Sequence, residues 1–133
     1  MGIDYGEKRI GISLCDPLQT FAYAFTTLQN DQTFFKKLSD ILLEKKIVKV
    51  ILGLPSSKFQ SSAAISDLVK KLKSEIESRF KIEVILWDEE YSSVLAKAKV
   101  IESVSKKSKR KNKALIDEQS AAIILQEYLD SKK

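Results

Sequence analysis

With 133 residues, no histidine and a single cysteine, the chain excludes Ser-His-Asp and Cys-His catalysis, His- or Cys-rich zinc sites and an internal disulfide. Hydrophobic residues at 44% and charged residues at 31% are ordinary for one globular domain spanning 1–133. The formal net charge of +5 is local: Lys106, Lys107, Lys109, Arg110, Lys111 and Lys113 place six cations in eight residues, and without them the chain carries −1.

The opening stretch Gly2-Ile3-Asp4-Tyr5-Gly6-Glu7-Lys8-Arg9-Ile10-Gly11-Ile12-Ser13 reads as strand, tight turn, strand, with Gly6 free to take a positive backbone angle. Ile10, Ile12 and Leu14 alternate with Gly11, Ser13 and Cys15, the period of a strand with one apolar face. Asp16-Pro17 breaks it, and Phe21 to Leu28 forms a third strand that closes an antiparallel meander. Asn30-Asp31 offers a helix cap before Phe34, Phe35, Leu38, Ile41 and Leu42, which recur at helical spacing. Val48, Val50, Ile51 and Leu52 form an apolar run ending at Gly53, as expected of a parallel strand buried on both faces after a crossover.

A Ser-rich loop over 55–62 precedes a helix with Ile65, Leu68, Val69, Leu72 and Ile76 on one face. Ile82 to Trp87 is a fifth strand with Asp88-Glu89-Glu90 at its end. Ser92 can cap a helix carrying Val94, Leu95, Ala98 and Ile101, the basic segment follows, and a last helix runs from about Leu115 to Leu129. The order βββαβαβαα implies an α/β domain, a mixed five-stranded sheet with helices on both faces. Ligands of such sheets sit at the C-terminal ends of the parallel strands. The chain shows no basic leader before an apolar run and no apolar run of membrane length, which fits a cytoplasmic protein without a membrane partner.

Four carboxylates stand where the elements can bring them together. An aspartate inside a strand, Asp4, needs a reason, because strands disfavour Asp and a buried charge needs a partner. Asp88 and Glu89 end the last strand. Asp117 shares a helix face with Ala121, Ile124 and Tyr128 through steps of four, three and four. That face points Asp117 at the sheet; a first-turn acid favourable to the helix dipole is the competing reading. Converging carboxylates repel unless a divalent cation joins them, and with oxygen donors alone that cation is Mg2+ or Mn2+. Two such ions suit hydrolysis of a phosphodiester. The six-cation run suits a phosphate backbone, or is a solvated linker. Ser56, Ser57, Ser61 and Ser62 are loop and cap residues or phosphate donors. Trp87 reads as core and Tyr91 as the better stacking candidate. Cys15 has no activating base and does not read as a nucleophile.

Four segments together carry a family resemblance: residues 2–13, Gly-Leu-Pro at 53–55, Trp-Asp-Glu-Glu-Tyr-Ser-Ser at 87–93 and Ile-Asp-Glu-Gln-Ser-Ala-Ala-Ile-Ile-Leu-Gln-Glu-Tyr-Leu at 116–129. In order and spacing they resemble the YqgF/RuvX family of ribonuclease H-like nucleases over nearly the whole chain. The resemblance implies a ribonuclease H-like fold with sheet order 3-2-1-4-5. It also implies an activity on structured nucleic acid: 5′-end processing of pre-16S rRNA in ribosome biogenesis, or resolution of branched DNA as a Holliday junction resolvase.

By position the family's catalytic acids fall on Asp4, Asp88, Glu89 and Asp117, with Asp4, Glu89 and Asp117 as metal ligands and Asp88 supporting the turn. Lys106, Lys107, Lys109, Arg110, Lys111 and Lys113 would grip the backbone. Two departures stand out: Phe59-Gln60-Ser61 where the family has Asp-Gly, and Glu90 where it has arginine, an anion in place of a cation. Ser92 and Ser93 replace threonines and keep the hydroxyls. The expected activity is therefore a metal-dependent phosphodiesterase on RNA. Junction resolution, which calls for a dimer, and nucleic-acid binding through a weakened site are the alternatives, and whether the chain is monomer or dimer stays open. A phosphotransferase of the actin-like kind opens with a similar hairpin but needs two such domains.

Overall fold

The computed structural model describes residues 1–54, 62–88 and 113–132. The strands are β1 (Gly2–Asp4), β2 (Arg9–Cys15), β3 (Ala22–Gln29), β4 (Lys49–Leu54) and β5 (Glu83–Asp88). The helices are α1 (Phe34–Glu44), α2 (Ser62–Phe80) and α3 (Lys113–Ser131). The strands form one sheet in the order β3-β2-β1-β4-β5. β1 pairs antiparallel with β2 and parallel with β4, β2 is antiparallel to β3, and β4 is parallel to β5. The expected α/β sheet and its 3-2-1-4-5 order are both observed. The loop at 55–61 and the helix expected from Ser92 to Ile101 lie outside the described residues.

The two faces of the sheet carry separate cores. Ile3, Ile10, Ile12, Leu14, Val50, Leu52 and Val84 pack with Phe34, Leu38 and Leu42 of α1 and with Val69, Leu72 and Ile76 of α2. Ile51, with Ile85 and Trp87 at its margin, packs with Ile124, Leu125, Tyr128 and Leu129 of α3. β4 therefore needs apolar residues at consecutive positions, since Val50 and Leu52 serve one face and Ile51 the other. Burial of each such side chain is worth about 1.5–3 kcal/mol.

Local chemistry departs from the expectations at four points. Gly6 does not take a positive φ; its missing Cβ matters because an added one would lie 2.3 Å from the Arg9 carbonyl oxygen. Asn30 and Asp31 do not cap α1. The Asn30 side chain donates to the Gly6 carbonyl at 2.9 Å and its backbone N–H to Lys8 at 2.9 Å, so it braces the hairpin. Asp31 accepts from the Thr33 N–H and hydroxyl at 2.8 and 2.6 Å, which holds its carboxyl below the usual aspartate range. Val48 is 78% exposed, because β4 begins only at Lys49 and Val48 belongs to the turn after α1. That turn closes on Lys46 in the left-handed region, with the Ile47 N–H donating to Leu42 at 3.0 Å and the Lys46 N–H to Leu43 at 3.3 Å, a Schellman closure.

β2 and β3 are joined through Asp16, whose Oδ1 accepts from the N–H groups of Thr20 and Phe21, each at 2.7 Å. Beyond the turn the pairing passes from Ser13–Ala24 to Ile12–Thr26, so Phe25 is an extra residue, a β-bulge in the edge strand.

Two outcomes follow from this packing. Gly2→Ala should cost about 1–3 kcal/mol in urea unfolding, since its Cβ would fall 2.4 Å from Ser13 Oγ and 2.8 Å from both the Ala121 carbonyl and Leu125 Cβ. Asp16 has its pKa lowered from the ordinary 3.8, chiefly by the Phe21 N–H. Its stabilising bonds are thus fully present above that value and lost as pH falls through the lower folded value. The Tm difference between wild type and Asp16→Asn should be constant near neutral pH and shrink below about pH 3.8; a gap that widens on acidification contradicts the assignment.

Candidate active site

The site is built from the side of the sheet that faces α3. On β1, Gly2 and Asp4 point to that face and Ile3 to the other, where Ile3 is fully buried. Asp4 is the last residue of β1, half-buried, and stands opposite Gly11 of β2. Gly2 stands opposite Ser13. Small residues at Gly2, Gly11 and Ser13 let the backbone of α3 come down onto the sheet. There Ser13 Oγ donates to the Ala121 carbonyl at 2.8 Å, a buried bond between residues 108 apart in sequence. Ala121 itself is fully buried.

The direction of α3 follows from three contacts along it. The Thr27 hydroxyl meets a Glu118 carboxylate oxygen at 3.3 Å, and Thr27 pairs with Gly11, the partner of Asp4. Ala121 lies over Gly2 and Ser13. Gln126 accepts from the Ala22 N–H at 2.8 Å, at the other end of β3. The N-terminal part of α3 therefore lies at the Asp4 end of the sheet. Asp117 is the residue before Glu118, one helical turn (about 6 Å) before Ala121. The helix begins at Lys113, two residues earlier than expected, as the helix-forming Lys113-Ala114 allows. Asp117 is consequently a second-turn residue, and the dipole, which acts on the first turn, no longer accounts for it. The sheet-facing helix face is observed: Ala121, Ile124 and Tyr128 are all buried.

The third element arrives from β5. Its last residue, Asp88, pairs with Leu54, the last of β4, and β1 lies on the other side of β4. Asp4 and Asp88 thus end two parallel strands separated by two strand spacings, about 9.6 Å. Trp87, just before, is a packing residue, as expected: its ring meets Tyr128 edge-on at 5.8 Å between centroids, and its N–H points to Glu127 at 3.4 Å.

Of the expected site acids, Asp4 is described in full, Asp88 and Asp117 by their place in β5 and α3, and Glu89 lies outside the described residues, as do Glu90, Tyr91 and Phe59-Gln60. The basic residues Lys106, Lys107, Lys109, Arg110 and Lys111 also lie outside them, and Lys113 is placed only as the first residue of α3. Among the described residues no three His, Cys, Asp or Glu side chains form a metal-holding group. With no histidine in the chain and Cys15 at the other end of β2, packed partly against the α3 core, any ion held at Asp4 would meet oxygen donors, which suit a hard cation.

Sequence reasoning missed Ser13 as the bond that seats α3; its one signal was a small polar residue within an apolar alternation. It also missed a group of lysines at the far end of the sheet from Asp4. No helix among the described residues is long and apolar enough to cross a membrane.

Comparison with known proteins agrees with this geometry. The family described as "RuvX: Holliday junction resolvase" matches residues 1–131. A protein of Flavobacterium psychrophilum named "Putative pre-16S rRNA nuclease" is 35% identical over 133 residues, covering 99% of this chain and 96% of the relative. Proteins with the same name from Bacteroides thetaiotaomicron and Listeria monocytogenes are 35% and 33% identical, over 100% and 98% of this chain and 96% of each relative. Nearly complete coverage in both directions, together with the sheet order and the strand-end aspartate, leaves one conclusion: the chain belongs to the RuvX family.

Proposed function

We propose that this protein is a metal-dependent nuclease that hydrolyses phosphodiester bonds of RNA in the 5′-end processing of pre-16S rRNA. The observation that carries the reading is Asp4: a half-buried carboxylate at the end of the central strand, at the same end of the sheet as the Asp117-bearing part of the helix that Ser13 and Thr27 hold. The names of the relatives support the substrate.

In this reading Asp4, Glu89 and Asp117 hold Mg2+ or Mn2+, and Asp88 supports the turn that presents Glu89. The bound cation supplies charge stabilisation at the phosphodiester oxygens. Asp4 contributes rigidity, since it pairs with Gly11 of β2 and ends a strand held on its other side by β4. The braced hairpin and the buried sheet beneath keep its carboxylate at one position. The run Lys106–Lys113 adds sequence-independent attraction for the phosphate backbone. The family description favours one further substrate, four-way DNA.

The test is cleavage of a precursor 16S fragment bearing its 5′ extension, with Mg2+ or Mn2+. Asp4→Asn should reduce the rate at least about 100-fold, because one ligand is lost while shape is kept. Equal rates would remove Asp4 from the reaction, and cleavage of four-way DNA alone would move the substrate to junctions. A second outcome concerns the cation itself. Mn2+ should raise the Tm of the wild type in a concentration-dependent way and leave that of Asp4→Asn nearly unchanged; equal shifts would place the ion elsewhere.

A further inference from the structure

At the sheet end opposite Asp4, β3 and its surroundings carry a second feature that the carboxylate site does not use. Phe21, Tyr23 and Phe25 are 69%, 49% and 37% exposed. Ala22 and Ala24 pair with Cys15 and Ser13 on the α3 side, so Tyr23 between them stands on the other side of the edge strand; Phe21 precedes the strand, and Phe25, the bulge residue, meets Lys45 after α1. A free edge is normally blunted by charge or proline, and three aromatic rings there are a liability unless they are used. Residues two apart in a regular strand are separated by about 6.8 Å, wide enough for a base on each ring, and the bulge at Phe25 sets the last ring off from that spacing.

The stripe adjoins a cavity of about 250 Å³ lined by Lys45, Lys46, Lys49, Lys132 and Tyr128. Lys45 joins the two features, its ammonium 5.5 Å from the centre of the Phe25 ring, and the Asp16 turn joins them through Phe21. Tyr128 gathers two cations: Lys49 donates to its hydroxyl at 3.5 Å and Lys132 sits 4.6 Å over its ring. Nearby carboxylates answer part of this charge. Glu83 is 3.5 Å from Lys49, Glu44 is 3.9 Å from Lys45, and Asp16 lines the cavity with one oxygen engaged by two N–H groups. Lys46 and Lys132 have no ion pair among the described residues. Lys46 holds its place at φ 52, where glycine would be less strained. The bond to Tyr128 holds the Lys49 ammonium charged, its pKa raised above the ordinary lysine value, and an anion in the cavity would meet that charge.

We propose that this face binds single-stranded nucleic acid, with bases stacked on Phe21, Tyr23 and Phe25 and phosphates held by Lys45, Lys46, Lys49 and Lys132. Aromatic rings beside a positive groove are the combination that holds a single strand without sequence preference. A second copy of the chain would bring the same cations to the contact, whereas a phosphodiester brings the opposite charge. The inference rests on the nuclease reading and deepens it: the eight residues of β3 span about 27 Å, so a single-stranded extension of the substrate can run along the edge away from the carboxylates.

The experiment measures fluorescence anisotropy of a labelled single-stranded RNA of about 12 nucleotides on protein carrying Asp4→Asn, which binds without turnover. Adding Phe21→Ala and Phe25→Ala should weaken binding at least about tenfold, and Phe25→Trp should retain it. Adding Lys46→Gln and Lys132→Gln instead should lower the slope of log affinity against log salt by about 1.4. Ultraviolet crosslinking of the bound RNA should map to the peptide holding Phe21–Phe25, a readout that does not depend on any variant folding. Unchanged affinity and slope, or crosslinks confined elsewhere, overturn the proposal. So does a change in sedimentation of the free protein with RNA affinity intact, which would make the stripe a contact between copies. If the wild type cleaves no nucleic acid but the phenylalanine variants lose binding, the nuclease reading fails and this one stands. Cleavage by the wild type with RNA binding untouched in the variants gives the reverse.

Discussion

The contact that the structure depends on is the descent of α3 onto β1 and β2. A helix normally stands about 10 Å from a sheet on a layer of large side chains. Here Gly2, Ser13 and Ala121 remove that layer, and a hydroxyl bonds directly to a helix carbonyl. Such a bond costs a serine its hydration, so it is favourable only because the carbonyl accepts it in full. The gain is positional. Larger side chains would tolerate sliding, whereas a buried hydrogen bond at 2.8 Å fixes the helix along its axis, and with it the end that carries Asp117.

Much of this was legible in the sequence because side-chain period reports burial. The alternation of Ile10, Ile12 and Leu14 with small residues announced a strand with two different faces, and the unbroken Val50-Ile51-Leu52 announced a strand with two similar ones. Asp4 was legible as an exception to strand composition. Asp117 was legible as one point of a helix face whose other members are apolar. Where the reading slipped, local geometry had more than one solution. Asn30 and Asp31 have the chemistry of caps, but their polar groups found the hairpin and Thr33 instead. Gly6 is needed for space and not for its φ. The lysines around Tyr128 were invisible because Lys45, Lys46 and Lys49 follow α1 while Lys132 follows α3, and lysines after helices read as solvated ends until the fold brings them together.

The sheet thus presents two ends of opposite character. One closes on carboxylates at the termini of parallel strands. The other gathers lysines where the parallel strands begin. β4 connects them directly, with Lys49 at its start and Leu54, the neighbour of Asp88, at its finish. Tyr128 ties the second end to the α3 core through Trp87, so the same helix that fixes Asp117 also sets the position of the lysine it contacts.

β1 is three residues long, comes first in the chain and lies in the middle of the sheet. Its neighbours are β2, which follows it closely, and β4, whose first residue, Lys49, accepts a bond from the Met1 ammonium 48 residues before it. The bond that seats α3 then reaches back across 108 residues. Contacts this distant in sequence form late, after the loop-closing entropy has been met. Asp4 takes its place in the sheet through the near contact with β2, whereas the helix above the sheet is seated through the far one. Loss of that one distant bond would therefore loosen α3 on the sheet while leaving the β1–β2 hairpin, whose contacts are local, in place.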